Sequence, residues 1–253
     1  MTKVAGILSP SYSGSTVLGL VLDGLLGIRF VGETHWIHDE PDGEMCFECP
    51  IECPVFSRAR LDALRRSTYS ACEEGALIDW WGQLSKLVGE PDVLVTGDKT
   101  NLFYDLAGPP DTWIVPYRSL TGMTRSWLSH QGRAYTDENV KNAAEWVVSH
   151  YDMFLSYIEA SGLPWIGVDI ERFNIEADVA GSEIAKRLNV EWVDGSADFG
   201  SSVHHHIRGS RTISGRAVVP DSRWRRDLSA EQIVWLQGQA KYNRICAKLG
   251  TGR

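Results

Sequence analysis

Long apolar runs are missing from this 253-residue chain. No window reaches the ~18–20 apolar residues that a membrane-spanning helix needs. The apolar stretch near the start ends at Ser9-Pro10. It is shorter than a secretory h-region and no small-residue cleavage site follows, so a cytoplasmic protein is expected. Basic residues are in deficit too: 25 Lys and Arg against 33 Asp and Glu, a formal net charge of −8. That balance, with a pI near 5.4, argues against a nucleic-acid coat protein, which needs a basic face. Gly-Lys-Ser/Thr occurs nowhere, which removes the Walker A loop of ordinary ATPases and GTPases. Cysteine is scarce, an odd five, with Cys46, Cys49 and Cys53 crowded together. Mostly reduced thiols are expected. Neither an internal repeat nor a linker interrupts the chain, so one domain over residues 1–253 is expected. Hydrophobic residues make up 43% and charged ones 23%. These ordinary globular values exclude wholesale disorder.

What is present alternates between two patterns. Short apolar runs at Val4–Leu8, Ile28–Val31, Val93–Thr96, Thr112–Val115 and Trp165–Val168 predict strands. Between and after them, helical patterns cover Thr16–Leu26, Arg58–Val88 (broken near Gly75), Leu120–His130, Glu138–Ala160 and Ile175–Leu188. Ser229-Ala-Glu-Gln predicts an N-cap opening one final helix to about Leu249. The alternation predicts a three-layer α/β/α fold around a central parallel sheet. In such folds ligands sit at the carboxyl ends of the strands. Residues 34–56 are irregular and Cys-containing, and predict a loop or lid. Residues 195–227 form an Arg- and Gly-rich loop region. Within it, Val203–Arg226 carries six arginines and one acid, Asp221. A cationic segment in an acidic protein is either a solvated loop or a cover for an anion.

Ser9-Pro-Ser11-Tyr12-Ser13-Gly14-Ser15-Thr16 lies between the first strand and the first helix. Small hydroxyl residues and backbone N–H groups at a helix start make an anion site, so this strand–loop–helix unit predicts phosphate binding. A plain serine-rich turn is the bland alternative.

Ser13-Gly14-Ser15-Thr16-Val17-Leu18 resembles the phosphosulfate loop of sulfotransferases that use 3′-phosphoadenosine 5′-phosphosulfate (PAPS). After the fourth strand, Arg118 and Ser126, eight residues apart, resemble that family's 3′-phosphate site. A strand-end arginine can fork onto a phosphate. Val31-Gly32-Glu33 resembles the segment in which a family glutamate acts as base, and Asp98-Lys99-Thr100 a segment of bacterial members. The cysteine cluster resembles a cysteine-rich stretch of the same group. His205-His206-Ile-Arg-Gly-Ser-Arg211 resembles a late segment whose arginine closes over the nucleotide. The resemblance runs from residue 4 to about 240. It departs at Tyr12, where many members carry Lys or Arg, and at Ser119-Leu120, where Asp-Pro is common.

The resemblance implies a sulfotransferase moving a sulfuryl group in line from PAPS to a hydroxyl or amine. Glu33 is then the general base, with His35 the second candidate. With Tyr12 in place of the loop cation, the leaving group is stabilised by loop amides, by an arginine of residues 208–226 or by Lys99, which is favoured because it lies at a strand end on the same edge. Ser11, Tyr12, Ser13, Gly14, Ser15, Thr16, Arg118, Ser126 and Arg211 hold the donor. The chemistry needs no metal. Cys46, Cys49 and Cys53 read first as thiols in a lid; a disulfide, or a structural zinc completed by His35, His38 or Cys72, are the alternatives. His204-His205-His206 favours neither a metal site nor a tag remnant. Trp36, Trp80 and Trp81 are candidates for lining an acceptor site, or core residues. A small-molecule or carbohydrate acceptor is expected, and no nucleic acid. Two other functions compete: a P-loop kinase-like phosphotransferase lacking the Walker lysine, and a catalytically silent nucleotide-binding module.

Overall fold

Five short strands, buried along most of their length except at the β5 edge, form one parallel sheet in the order β2-β3-β1-β4-β5. They are β1 (Lys3–Ile7), β2 (Ile28–Gly32), β3 (Val93–Thr96), β4 (Thr112–Tyr117) and β5 (Trp165–Asp169). The computed structural model describes residues 2–39, 46, 49, 53–73, 79–193, 204–207 and 221–251. A parallel strand needs a crossover to reach its neighbour and is covered on both faces, which is why these strands read as continuous apolar runs.

Period-two alternation divides the sheet's side chains between two cores. Ile7, Phe30, Val95, Ile114 and Val168 face one layer with Leu18 and Leu22 of α1 (Ser15–Asp23) and Ile184 of the later helix α9 (Ala177–Leu188). Leu8, Val31, Leu94, Trp113 and Val115 face the other. This second layer holds α3 (Arg58–Glu73), α4 (Trp80–Leu87), α5 (Asn101–Ala107), α6 (Leu120–His130) and α7 (Asp137–Ser161). Helices α11 (Ala230–Gln237) and α12 (Ala240–Gly250) join them. Three short helices complete the set: α2 (Trp36–Asp39), α8 (Ile170–Phe173) and α10 (Trp224–Asp227). The expected three-layer α/β/α fold is therefore present. Each large side chain buried in these layers contributes roughly 1.5–3 kcal/mol.

The final helix is a correction. Two helices, α11 and α12, replace the one expected from Ser229 to Leu249. The break falls at Gly238-Gln239, between a C-cap and an N-cap. The predicted start holds, with a capping box: Ser229 Oγ accepts from Gln232 N, and the Gln232 side chain accepts from Ser229 N.

The β2 edge is covered by a distant segment. Ile207 N donates to Val31 O at 2.9 Å, and Glu33 N donates to Ile207 O at 2.7 Å. Gly32 makes this approach feasible. Its φ is +79°, and a Cβ there would lie 2.2 Å from Ile207 O. Only glycine fits both demands.

Candidate active site

The loop after β1 turns sharply into α1. Gly14, φ +97°, is the N-cap residue, and a Cβ on it would lie 2.9 Å from Ile170 Cγ2. Tyr12 also has positive φ, 71°. Ser13, Ser15 and Thr16 are buried, and the Ser9 and Ser13 hydroxyls are 2.6 Å apart. Ser11 is half-buried. The loop thus packs several of its hydroxyls inward at the start of α1. Tyr12 stands apart. Its ring lies 5.3 Å from the His130 ring at the end of α6, and burial raises its pKa above the ordinary tyrosine value.

Two segments meet at the carboxyl ends of β2 and β3. Glu33 Oε1 pairs with Lys99 Nζ, and Trp36 Nε1 donates to Glu33 Oε2 at 3.1 Å. Both charged side chains are partly exposed, Lys99 at 27% and Glu33 at 12%. Beneath them Asp98 is fully buried. One Asp98 oxygen accepts from Thr34 Oγ1 at 2.7 Å and from Thr96 Oγ1. The other accepts from His35 N at 2.8 Å and lies 2.8 Å from His35 Nδ1. A buried carboxylate is stable only when hydrogen-bonded in this way. It ties the turn after β2 to the end of β3, and it fixes the His35 ring.

Arg118 directly follows β4 and is half-buried. Its guanidinium crosses the backbone of Gly122, where a Cβ would lie 2.4 Å from Nη2. Nη2 is 3.4 Å from Asp221 Oδ2, and Nε has no partner among the described residues. Asp221 is held mainly by Arg223, which donates from Nε at 2.8 Å and from Nη2 at 2.9 Å. Those bonds keep the Asp221 carboxyl well below the usual carboxylate range. Ser126 sits half-buried two turns into α6. Ser119 caps that helix, accepting from Gly122 N at 3.3 Å. Its turn therefore forms without the Asp-Pro pair.

Arg211 lies outside the described residues. So does most of the 195–227 segment. Trp80 belongs to the core, edge-on to Phe103, and Trp81 packs on the same ring at 5.8 Å. Only Trp36 of the three candidate tryptophans adjoins the Glu33 carboxylate. One concavity of about 990 Å³ is lined by β5 and α9 residues such as Ile166, Val168, Ile184 and Arg187. None of the sequence-assigned residues lines it. A smaller one of about 230 Å³ includes Arg118, Ser119, Tyr242 and Cys246.

Sequence reasoning missed two residues. Asp98 is legible as a strand-end residue beside Lys99, but nothing in the Val-Leu-Val-Thr-Gly run before it shows that its carboxylate is buried and bonded. Asp221 was read as an exception in a basic run, and nothing in the sequence links it to Arg118.

The chain's sequence matches no protein-family model and no curated protein. Its fold does match solved structures. One is the sulfotransferase domain of the olefin synthase of Synechococcus PCC 7002, with TM-score 0.56, 14% identity, and coverage of 98% of this chain and 95% of that one. Another is the sulfotransferase domain from the curacin biosynthetic pathway, with TM-score 0.54, 13% identity and 98% coverage of both chains. The chain has the fold of these sulfotransferase domains.

Proposed function

We propose that this protein is a PAPS-dependent sulfotransferase. The observation that carries the reading is the pairing of Glu33 with Lys99 at the carboxyl edge of a sulfotransferase-like sheet, in which β3 neighbours the β1 strand that leads into the serine loop. Sulfuryl transfer, like phosphoryl transfer, depends on in-line positioning and charge stabilisation. The residues present fit such a donor. Ser11–Thr16 offer hydroxyls and amides to the phosphosulfate, and Arg118 has donor capacity left for the 3′-phosphate. Ser126 and Arg211 complete that set in this reading.

Glu33 takes the proton from the acceptor hydroxyl as its oxygen attacks sulfur. Lys99 donates to the phosphate oxygen from which the sulfuryl group departs. At rest the two side chains neutralise each other. Arrival of the anionic donor draws Lys99 away and leaves Glu33 as the free carboxylate. His35, its Nδ1 turned to buried Asp98, acts as a positioning residue for this turn. Trp36 orients Glu33 and offers an apolar face to an acceptor. The overall acidity disfavours a polyanionic acceptor, and a small molecule or neutral carbohydrate suits the site better.

The test is transfer of labelled sulfuryl from PAPS across a panel of phenols, sugars and amines. Label on at least one acceptor class supports the reading. Phosphate transfer from magnesium-ATP instead would make the protein a phosphotransferase. Donor binding without transfer to any acceptor would make it a silent binding module.

A further inference from the structure

Four metal-ligating side chains that take no part in the proposed reaction converge near the β2 edge. Cys46, Cys49 and Cys53 are joined by His205, which is 152 residues beyond Cys53. His205 Nδ1 lies 3.4 Å from Cys49 Sγ, 3.4 Å from Cys53 Sγ and 4.0 Å from Cys46 Sγ. All four donor atoms lie within 4.8 Å of one another. Tetrahedral zinc has Zn–S of ~2.3 Å and Zn–N of ~2.0–2.1 Å, which sets N···S near ~3.6 Å and S···S near ~3.8 Å. The Cys49 and Cys53 distances lie close to the N···S value, and the Cys46 distance is longer by about 0.4 Å. Phe56 N also donates to Cys53 Sγ at 3.1 Å, the kind of outer bond that stabilises a ligating thiolate. None of the three cysteines is in a disulfide, and a disulfide would not account for the imidazole.

We infer that Cys46, Cys49, Cys53 and His205 bind one structural zinc ion, which ties the three cysteines to the 204–207 segment at the β2 edge. Binding displaces the three thiol protons and uses neutral imidazole. With four protein ligands the site is closed, so its role is structural. Thiols in a lid were the first reading of these cysteines, and His205 replaces His35, His38 and Cys72 as the fourth ligand. His35 Nδ1 is engaged with Asp98, and the side chains of His38 and Cys72 lie outside the described residues. The place of the site gives it consequence. Ile207, two residues past His205, bridges to both Gly32 and Cys46, and its carbonyl accepts from Glu33 N. The ion would therefore fix two long-separated segments next to the turn that carries Glu33. Closing so large a loop is where a metal clip gains most in the loop-entropy model.

The full chain, expressed without a polyhistidine tag in zinc-supplemented medium and purified under reducing conditions without chelator, is analysed for metal. About one zinc per chain is expected. Cys49→Ser and His205→Ala should each lose it, and Cys246→Ser should keep it. Because ligand variants can misfold, the wild-type protein is also stripped and titrated with cobalt(II). Thiolate-to-cobalt charge-transfer absorption of a tetrahedral site, displaced by zinc, supports the inference. Its absence, a disulfide between two of these cysteines, iron in place of zinc, or zinc retained by both ligand variants would overturn it.

Discussion

Asp221 Oδ2 stands 3.4 Å from Arg118 Nη2, across 103 residues of sequence. The arginine assigned to a donor phosphate thus faces a carboxylate of the protein itself. Arg223 grips that carboxylate more tightly than Arg118 does. Among the described residues Arg118 is left with one long side-chain contact and an unpartnered Nε. An anionic ligand that binds Arg118 competes with Asp221 rather than with water alone. Asp221→Asn should therefore tighten binding of 3′,5′-adenosine bisphosphate, by a factor that falls as salt is raised. Calorimetric titration at two salt concentrations checks this. Unchanged affinity would separate Asp221 from the nucleotide site.

The same carboxylate sets a pH dependence. Its folded pKa is depressed, chiefly by Arg223. Its contribution to stability is full above the unfolded value of ~3.9 and is lost as pH falls toward the folded value. Melting temperatures at pH 7 and pH 3 should therefore differ less in Asp221→Asn than in the wild type.

In the proposed mechanism Glu33 and Lys99 act on different atoms of one reaction. Glu33→Gln should lower kcat by ~10²–10⁴, the usual worth of a general base, with donor affinity retained. Lys99→Ala should lower kcat with acceptors of every class, since the leaving group is common to all. Turnover of Glu33→Gln within about tenfold of wild type would transfer the base role to His35.

Asp98 touches neither proposed reactant, yet it gathers Thr34, Thr96 and His35. Asp98→Ala leaves these donors unmatched in a dry site. A loss of about 2–4 kcal/mol follows, or roughly 5–15 °C in Tm. Asp98→Asn can still accept at one oxygen and should recover part of it. Differential scanning calorimetry of the two variants checks the order.

Gly32 carries a positive φ and lies directly against Ile207. Gly32→Ala should release the 204–207 segment from β2. Hydrogen exchange at the Ile207 and Glu33 amides should rise while β4 amides stay protected. Uniform protection would mean that the strand edge tolerates the Cβ.

How far the sequence carried the reading depends on how local each signal was. All five strands were legible, because fully buried parallel strands are apolar throughout, and Leu120–His130 matched to the residue. The division between α11 and α12 was not, since an isolated glycine is tolerated in a helix and its effect depends on packing. Glu33 and Lys99 were each legible as strand-end residues. Their pairing was not, since it depends on β2 and β3 being neighbours. His205 was the least legible. Its partners lie at least 152 residues away, and the three-histidine run offered no reason to prefer one ring.

The 3′-phosphate offers the most direct test of the donor assignment. Isothermal titration should compare 3′,5′-adenosine bisphosphate with ADP on the wild type and on Arg118→Ala. A charge-assisted bond worth ~1.5–3 kcal/mol corresponds to a preference for the bisphosphate of roughly 10–150-fold. In Arg118→Ala that ratio should collapse toward one. Equal affinity for the two nucleotides in the wild type, or a preference that survives Arg118→Ala intact, would contradict the assignment.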